Sequence, residues 1–319
     1  VSRKKMNKDY NIQEWGSDYD ISAPTGEFDL QTAEEVRNAP VPKIRWAVPD
    51  ILPEGLAILG GDPKIGKSFM ALQLCGAIGG FGDFFGTLNL TYGKSVYLAL
   101  EDPQWRLTTR IKGMFGDEPL PGFYIRTSMG PWGSPDWLDL GNWVENNPEC
   151  RVVVVDTFVR IRPPDNRGLD AYQASNALGK EMLTWAHTHH VALLLVHHKS
   201  KTNESSDPVK SLSGSIGFAG SADTIMLLSR TRTEREAKLF ITGRDVGERE
   251  IDLVHEPDTG RWLMSGATTK HRHHEPEPSG PIGIVPAEGQ FVSETCFSCG
   301  NPVKEKTAFG AVCRRCHPG

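Results

Sequence analysis

Between residues 44 and 264 the chain alternates short, unbroken apolar runs with longer segments whose apolar residues recur every three or four positions. The runs fall at residues 56–59, 95–100, 151–156, 191–197 and 224–228, and the third holds four consecutive valines, Val152 to Val155. Runs that are apolar at every position predict strands buried on both faces of a parallel sheet. Residues 169–189 place Ala171, Ala174, Leu178, Met182 and Trp185 on one helical face. Residues 237–242, 250–255 and 261–264 then predict short antiparallel strands, with Gly243, Gly247 and Gly260 at or near the turns. The expected fold class is α/β, with a mostly parallel central sheet followed by C-terminal antiparallel strands.

Polarity sets the boundaries. Residues 1–44 are polar, with one short helical candidate near 30–37, and predict an N-terminal arm. Residues 45–266 form the expected α/β domain. Residues 267–292 are rich in Pro, Gly, His and Glu without periodicity and predict a flexible linker, leaving 293–319 as a small module. The net charge of −5 excludes a globally basic nucleic-acid binder but not a local basic patch. No apolar run approaches the roughly 20 residues of a membrane helix, and none follows the basic N-terminus, so a cytoplasmic location and no membrane partner are expected.

The first apolar run leads into Gly61-Asp62-Pro63-Lys64-Ile65-Gly66-Lys67-Ser68, a complete P-loop pattern, and a helix is expected from Lys67 to about residue 78. The glycines let backbone N–H groups converge on one phosphate, and the helix adds its positive end. Lys67 should reach the β- and γ-phosphates of ATP, with its ammonium solvent-facing until nucleotide arrives. Ser68 should ligate Mg²⁺, and Phe69 completes the nucleotide-binding segment. Asp156 closes the valine strand and is the expected second Mg²⁺ ligand. Glu101 ends the second strand, where ligands gather at the carboxyl edge of a parallel sheet, and is the candidate catalytic carboxylate. Asp102 and Pro103 fit a helix cap and an early helical position. His197 and His198 close the fourth strand, either as packing groups or as sensors of the γ-phosphate.

Four of the six cysteines, Cys296, Cys299, Cys313 and Cys316, form two C-x2-C pairs thirteen residues apart. That spacing predicts a structural zinc ribbon in which four thiolates close a tetrahedral Zn²⁺ site.

Taken together the motifs resemble the RecA-like hexameric ATPases, in the branch of the plasmid replicative helicase RepA and related phage or mobile-element proteins. The resemblance covers residues 44–264. It rests on the P-loop, Leu98-Ala99-Leu100-Glu101-Asp102, Val153-Val154-Val155-Asp156-Thr157, Val196-His197-His198-Lys199, the stretch from Gly214 to Asp223, and Gly243-Arg244-Asp245. It implies a hexameric ring with nucleotide between subunits, Glu101 as general base, His197 as phosphate sensor and Arg244 reaching the neighbour's γ-phosphate. A lysine two places before that arginine is usual in the related bacterial replicative helicases; Thr242 stands there instead, which keeps Arg230 as a rival. The resemblance also implies that the loops after the third and fourth strands line a pore. Arg160 and Arg162 in the first, and Lys199, Lys201 and Lys210 in the second, would contact phosphates of single-stranded DNA. The expected function is an ATP-hydrolysing replicative-type helicase or translocase. The alternative from another class is a non-translocating ATP-dependent scaffold that recruits replication or recombination proteins.

Overall fold

A computed structural model describes residues 30–41, 43–163, 171–198 and 216–266. Helix α1, Ala33–Asn38, begins with a capping box: Thr32 Oγ1 accepts from Glu35 N, and the Glu35 carboxylate accepts from Thr32 N. It buries no residue. Strands β1, Trp46–Val48, and β2, Leu52–Pro53, pair as a small antiparallel hairpin. Strand β3, Gly55–Gly60, is buried along its whole length and delivers the chain to the P-loop and to α2, Lys67–Gly76. A π-helical turn, Ala77–Phe81, extends α2. After it come the two-residue strands β4, Asp83–Phe84, and β5, Leu88–Asn89, then β6, Lys94–Ala99, α3, Gln104–Phe115, and β7, Phe123–Arg126. Next are α4, Pro135–Glu145, β8, Cys150–Asp156, a 3-10 turn at Phe158–Arg160, α5, Ala171–Thr188, β9, Ala192–Val196, and α6, Ile216–Ala219. The described chain closes with β10, Thr224–Ser229, β11, Glu236–Gly243, β12, Arg249–His255, and β13, Trp262–Met264.

Nine strands make one sheet in the order β13-β12-β11-β10-β3-β9-β8-β6-β7. From β10 to β7 every pairing is parallel; from β10 to β13 every pairing is antiparallel. The apolar runs are unbroken because both faces are covered. Val152 and Val154 of β8 point into the core beneath α2 and α3, and Val153 and Val155 into the core beneath α4 and α5. Leu193 and Leu195 of β9 share that second core with Met182 of α5, and Leu178 and Trp185 pack against it. Five of the six parallel strands, α5 and the three antiparallel strands stand where the hydrophobic pattern predicts them, within a residue or two at each end.

The pattern missed β7, α4 and both small hairpins. Strand β7 lies at the sheet edge with Tyr124 and Ile125 partly exposed, so it lacks a fully apolar run. Among the described residues no helix is long and apolar enough to cross a membrane. Most of the N-terminal arm, the linker, the four C-terminal cysteines, Lys199, Lys201 and Lys210 lie outside the described residues.

Candidate nucleotide site

The strand register brings the candidate groups to one edge. Leu59 of β3 pairs with Val196, Val196 with Asp156, and Asp156 with Ala99, so the P-loop, His197, Asp156 and Glu101 leave adjacent carboxyl ends of the sheet. The loop needs its glycines. Gly61 has φ 150° and a side chain there would meet the Leu228 carbonyl at 2.5 Å. Gly66, the N-cap of α2 at φ 105°, lies against the Trp262 ring, which an added Cβ would meet at 2.6 Å. The Trp262 indole N–H donates to the Gly66 carbonyl at 3.0 Å, so the antiparallel end of the sheet braces the P-loop.

Lys67 corrects one expectation. It is buried rather than solvent-facing, and its Nζ donates to the carbonyls of Gly61 and Asp62, both at 2.7 Å. A strongly hydrated ammonium in a tight loop takes carbonyl oxygens in place of water. Burial pushes its pKa down to about 8, against the pull of Asp156 and Asp62.

Asp156 is 4% exposed and accepts from the Tyr97 hydroxyl at Oδ2, 2.5 Å away, and from the Ser68 hydroxyl. Burial raises its carboxyl pKa, with those two bonds opposing. A buried carboxylate touching the P-loop hydroxyl is a hard-oxygen donor set whose charge a cation would compensate, so Ser68 and Asp156 fit Mg²⁺. Glu101 is more open. Its Oε1 accepts from Thr157 Oγ1 at 2.9 Å and faces Arg160 Nε at 3.6 Å. Arg160, expected on a pore loop, therefore also sits beside the candidate base, and Arg162 is exposed two residues on.

His197 is held by its backbone N–H on the Leu59 carbonyl at 3.0 Å, and its ring meets Phe158 edge-on at 5.9 Å. Burial, with His198, Lys67 and Arg162 adding, pushes its pKa down to about 4, so the ring is neutral at neutral pH. His198 is lowered as well, by burial and then Lys67, while Glu101 and Asp156 oppose. Both rings thus share the field of the P-loop lysine, and His198 also feels the two carboxylates.

The cap reading of Asp102 is corrected. The N-cap of α3 is Pro103, without a side-chain bond, and Asp102 instead pairs with Arg106 at 2.9 Å and with Arg110, one and two turns along the same helix face. The guanidinium of Arg110 also lies over the Phe69 ring at 4.7 Å. Sequence reasoning missed Tyr97, Thr157 and Trp262 as supports. Tyr97 and Trp262 are polar-tipped aromatics in apolar segments, and Thr157 follows the strand-end carboxylate.

The two arginine candidates lie at opposite edges. Arg230 follows β10 on the P-loop side and stacks over Trp262 at 5.6 Å; its Nε and Nη1 are buried with no hydrogen-bond partner among the described residues. Arg244 follows β11, whose last residue, Gly243, pairs with Thr224, and Thr224 pairs with Ala57 near the start of β3. Four residues of strand, about 13 Å at strand rise, separate that row from Gly61. Arg244 therefore stands at the opposite end of the sheet from its own P-loop, with its side chain 58% exposed.

A protein-family model described as "AAA domain" matches residues 23–204, more than half of the chain, and the chain belongs to that family. No curated protein matches it. The fold is similar to the solved structure titled "ATPase Domain of G40P", with a TM-score of 0.54 and 13% identity over 66% of this chain and 84% of that one. It is also similar to "The Structure Of A DnaB-Like Replicative Helicase And Its Interactions With Primase", with a TM-score of 0.52 and 14% identity over 66% of this chain and 57% of that one. At these identities the likeness is one of fold, a RecA-like α/β domain.

Proposed function

We propose that the chain is an ATPase that assembles as a ring and moves on single-stranded DNA as a replicative-type helicase or translocase. The AAA family, the P-loop geometry and the two fold neighbours, one an ATPase domain and the other a replicative helicase, support this reading. The observation that carries it is the division of the site. Lys67, Ser68, Asp156 and Glu101 converge at one sheet edge, while Arg244 stands exposed at the other. A surface whose complement lies on the far side of the same molecule makes head-to-tail contacts, which build a ring where the rotation between subunits closes and an open filament where it does not; the reading here is the closed ring.

In this reading Lys67 leaves the Gly61 and Asp62 carbonyls for the phosphates. Ser68 and Asp156 would hold Mg²⁺, which would supply charge neutralisation on the phosphates. Glu101, oriented by Thr157, accepts the proton of the attacking water. The neutral His197 and His198 rings lie where the γ-phosphate's presence changes the local field. Arg244 of one subunit completes the site of the next, where an arginine finger is worth roughly 10³–10⁵ in turnover. The proposal extends to the RepA type, a phage or mobile-element origin, a hexamer in the host cytoplasm and replication proteins as partners. It includes DNA contacts from Arg160, Arg162, Lys199, Lys201 and Lys210, with residues 1–44 as an arm and 267–292 as a linker. Cys296, Cys299, Cys313 and Cys316 hold Zn²⁺ in a ribbon at 293–319, which elemental analysis checks as one ion per chain.

The test is subunit mixing. Lys67→Ala and Arg244→Ala chains are each expected to be inactive. Mixed, they recreate interfaces with an intact P-loop from one chain and an intact arginine from the other, and ATP turnover returns. Mixtures that stay inactive contradict the shared site.

A further inference from the structure

We propose that Asp223 is the positioning residue for Arg244, a buried carboxylate that aims the arginine of one subunit at the nucleotide of the next; this rests on the shared-site reading above. Asp223 stands at the N-terminal end of β10, on the sheet edge away from its own P-loop, and is 5% exposed. Its Oδ1 accepts from Arg244 Nη1 at 3.0 Å. Its Oδ2 accepts from Leu56 N at 3.2 Å and lies 3.0 Å from His187 Nε2. The backbone adds a second link between the two residues, since Arg244 N donates to the Asp223 carbonyl at 2.9 Å.

The fold makes room for this carboxylate. A Cβ on Gly55 would stand 2.2 Å from Asp223 Oδ2, and one on Gly243 would stand 2.4 Å from the Asp223 carbonyl oxygen. Gly55 also has φ 114°, a conformation that side chains resist. Two glycines on two strands thus frame a buried charge whose one formally cationic side-chain partner among the described residues is an exposed arginine. A buried carboxylate is costly unless its lone pairs are met, and Leu56 N, His187 and Arg244 meet them. The same bonds take one nitrogen of the Arg244 fork and leave the rest of the guanidinium free to point outward. A flexible arginine on a surface loses rotamer freedom when it binds phosphate. One held in advance does not, and a misplacement of about 1 Å costs on the order of a hundredfold in rate. Asp223 and Arg244 stand at the sheet end away from the chain's own P-loop, so on the shared-site reading the benefit of the arrangement falls on a neighbour.

The test uses the full chain with Asp223→Asn, which keeps the side chain's shape and an acceptor while removing the charge that holds the guanidinium. Turnover is expected to fall about ten- to a hundredfold with nucleotide affinity unchanged, and the Asp223→Asn/Arg244→Ala double variant should be no slower than Arg244→Ala alone. Mixing separates aiming from misfolding. Asp223→Asn chains mixed with Lys67→Ala chains should regain activity, because the Asp223→Asn chain still supplies a sound P-loop and its partner a sound arginine. Normal turnover of Asp223→Asn beside an impaired Arg244→Ala overturns the positioning role and leaves the shared site standing. Failure of the Asp223→Asn mixture while the Arg244→Ala mixture recovers overturns it too, by making the defect one of folding. Failure of both mixtures removes the shared site and the positioning role together.

Discussion

The hydroxyl of Thr157 donates to Glu101 Oε1 at 2.9 Å, so the strand that ends in the buried Asp156 also fixes the exposed carboxylate of the strand beside it. Asp156 and Glu101 end paired strands yet live in different surroundings. One is enclosed by Tyr97 and Ser68, and the other is open to solvent with Arg160 at 3.6 Å. That difference suits one to a cation and the other to a water.

Glu101→Gln is expected to bind ATP normally and to turn it over at least about a hundredfold more slowly, the usual contribution of a general base. Thr157→Val, which removes only the orienting bond, should cost at least about tenfold, since a hydrogen bond to a charged carboxylate is worth roughly 1.5–3 kcal/mol. Equilibrium nucleotide binding beside single-turnover rates checks both, and an equal loss of affinity in the two variants would contradict the separation of roles.

Lys67 gives a pH dependence of defined sign. Its folded pKa is about 8 against an ordinary 10.5. Between those values the folded chain binds fewer protons than the unfolded one, so stability without nucleotide rises with pH across that window. Nucleotide phosphates favour the charged lysine, so ATP binding takes up protons there and affinity falls as pH rises through 8. Calorimetry in two buffers of different ionisation enthalpy measures the uptake, and Lys67→Met should abolish it.

The Tyr97–Asp156 bond predicts a pair of outcomes. Asp156→Asn should shift the Mg²⁺ requirement of turnover to higher concentration. Tyr97→Phe removes a donor from a buried carboxylate and should destabilise the fold by about 1–3 kcal/mol, while raising the Asp156 pKa further. Denaturant melts and Mg²⁺ titrations distinguish the two.

Much of this was legible in the sequence because burial on both faces writes itself as continuous apolar runs, and because phosphate binding demands glycines at fixed spacing. The P-loop, Asp156 and Glu101 were placed at the correct sheet edge by strand ends alone. Supports that act across long separations were not legible. Nothing near Gly66 announces that Trp262 covers it, and nothing near Arg244 announces Asp223 and Gly55, since these contacts exist only after β10 pairs with β3. Lys67 was misjudged because the sequence carries no signal for the direction of its side chain when phosphate is absent. Asp102 was misjudged because a cap and an ion pair with Arg106 and Arg110 demand the same residue type.

The loop lysines carry the nucleic-acid part of the proposal. Removing Lys199, Lys201 and Lys210 together should weaken single-stranded DNA binding and reduce the slope of log affinity against log salt by about two, at roughly 0.7 per phosphate contact. Basal ATP turnover should persist. An unchanged slope would take these residues out of the DNA path.

The most direct measurement is ATP turnover with and without single-stranded DNA, on protein whose mass in solution is determined in the same buffer. The expected result is a multimer, of hexamer mass with Mg²⁺ and nucleotide, whose turnover is strongly stimulated by the DNA. A monomer with the same turnover in the presence and absence of DNA would contradict the ring motor.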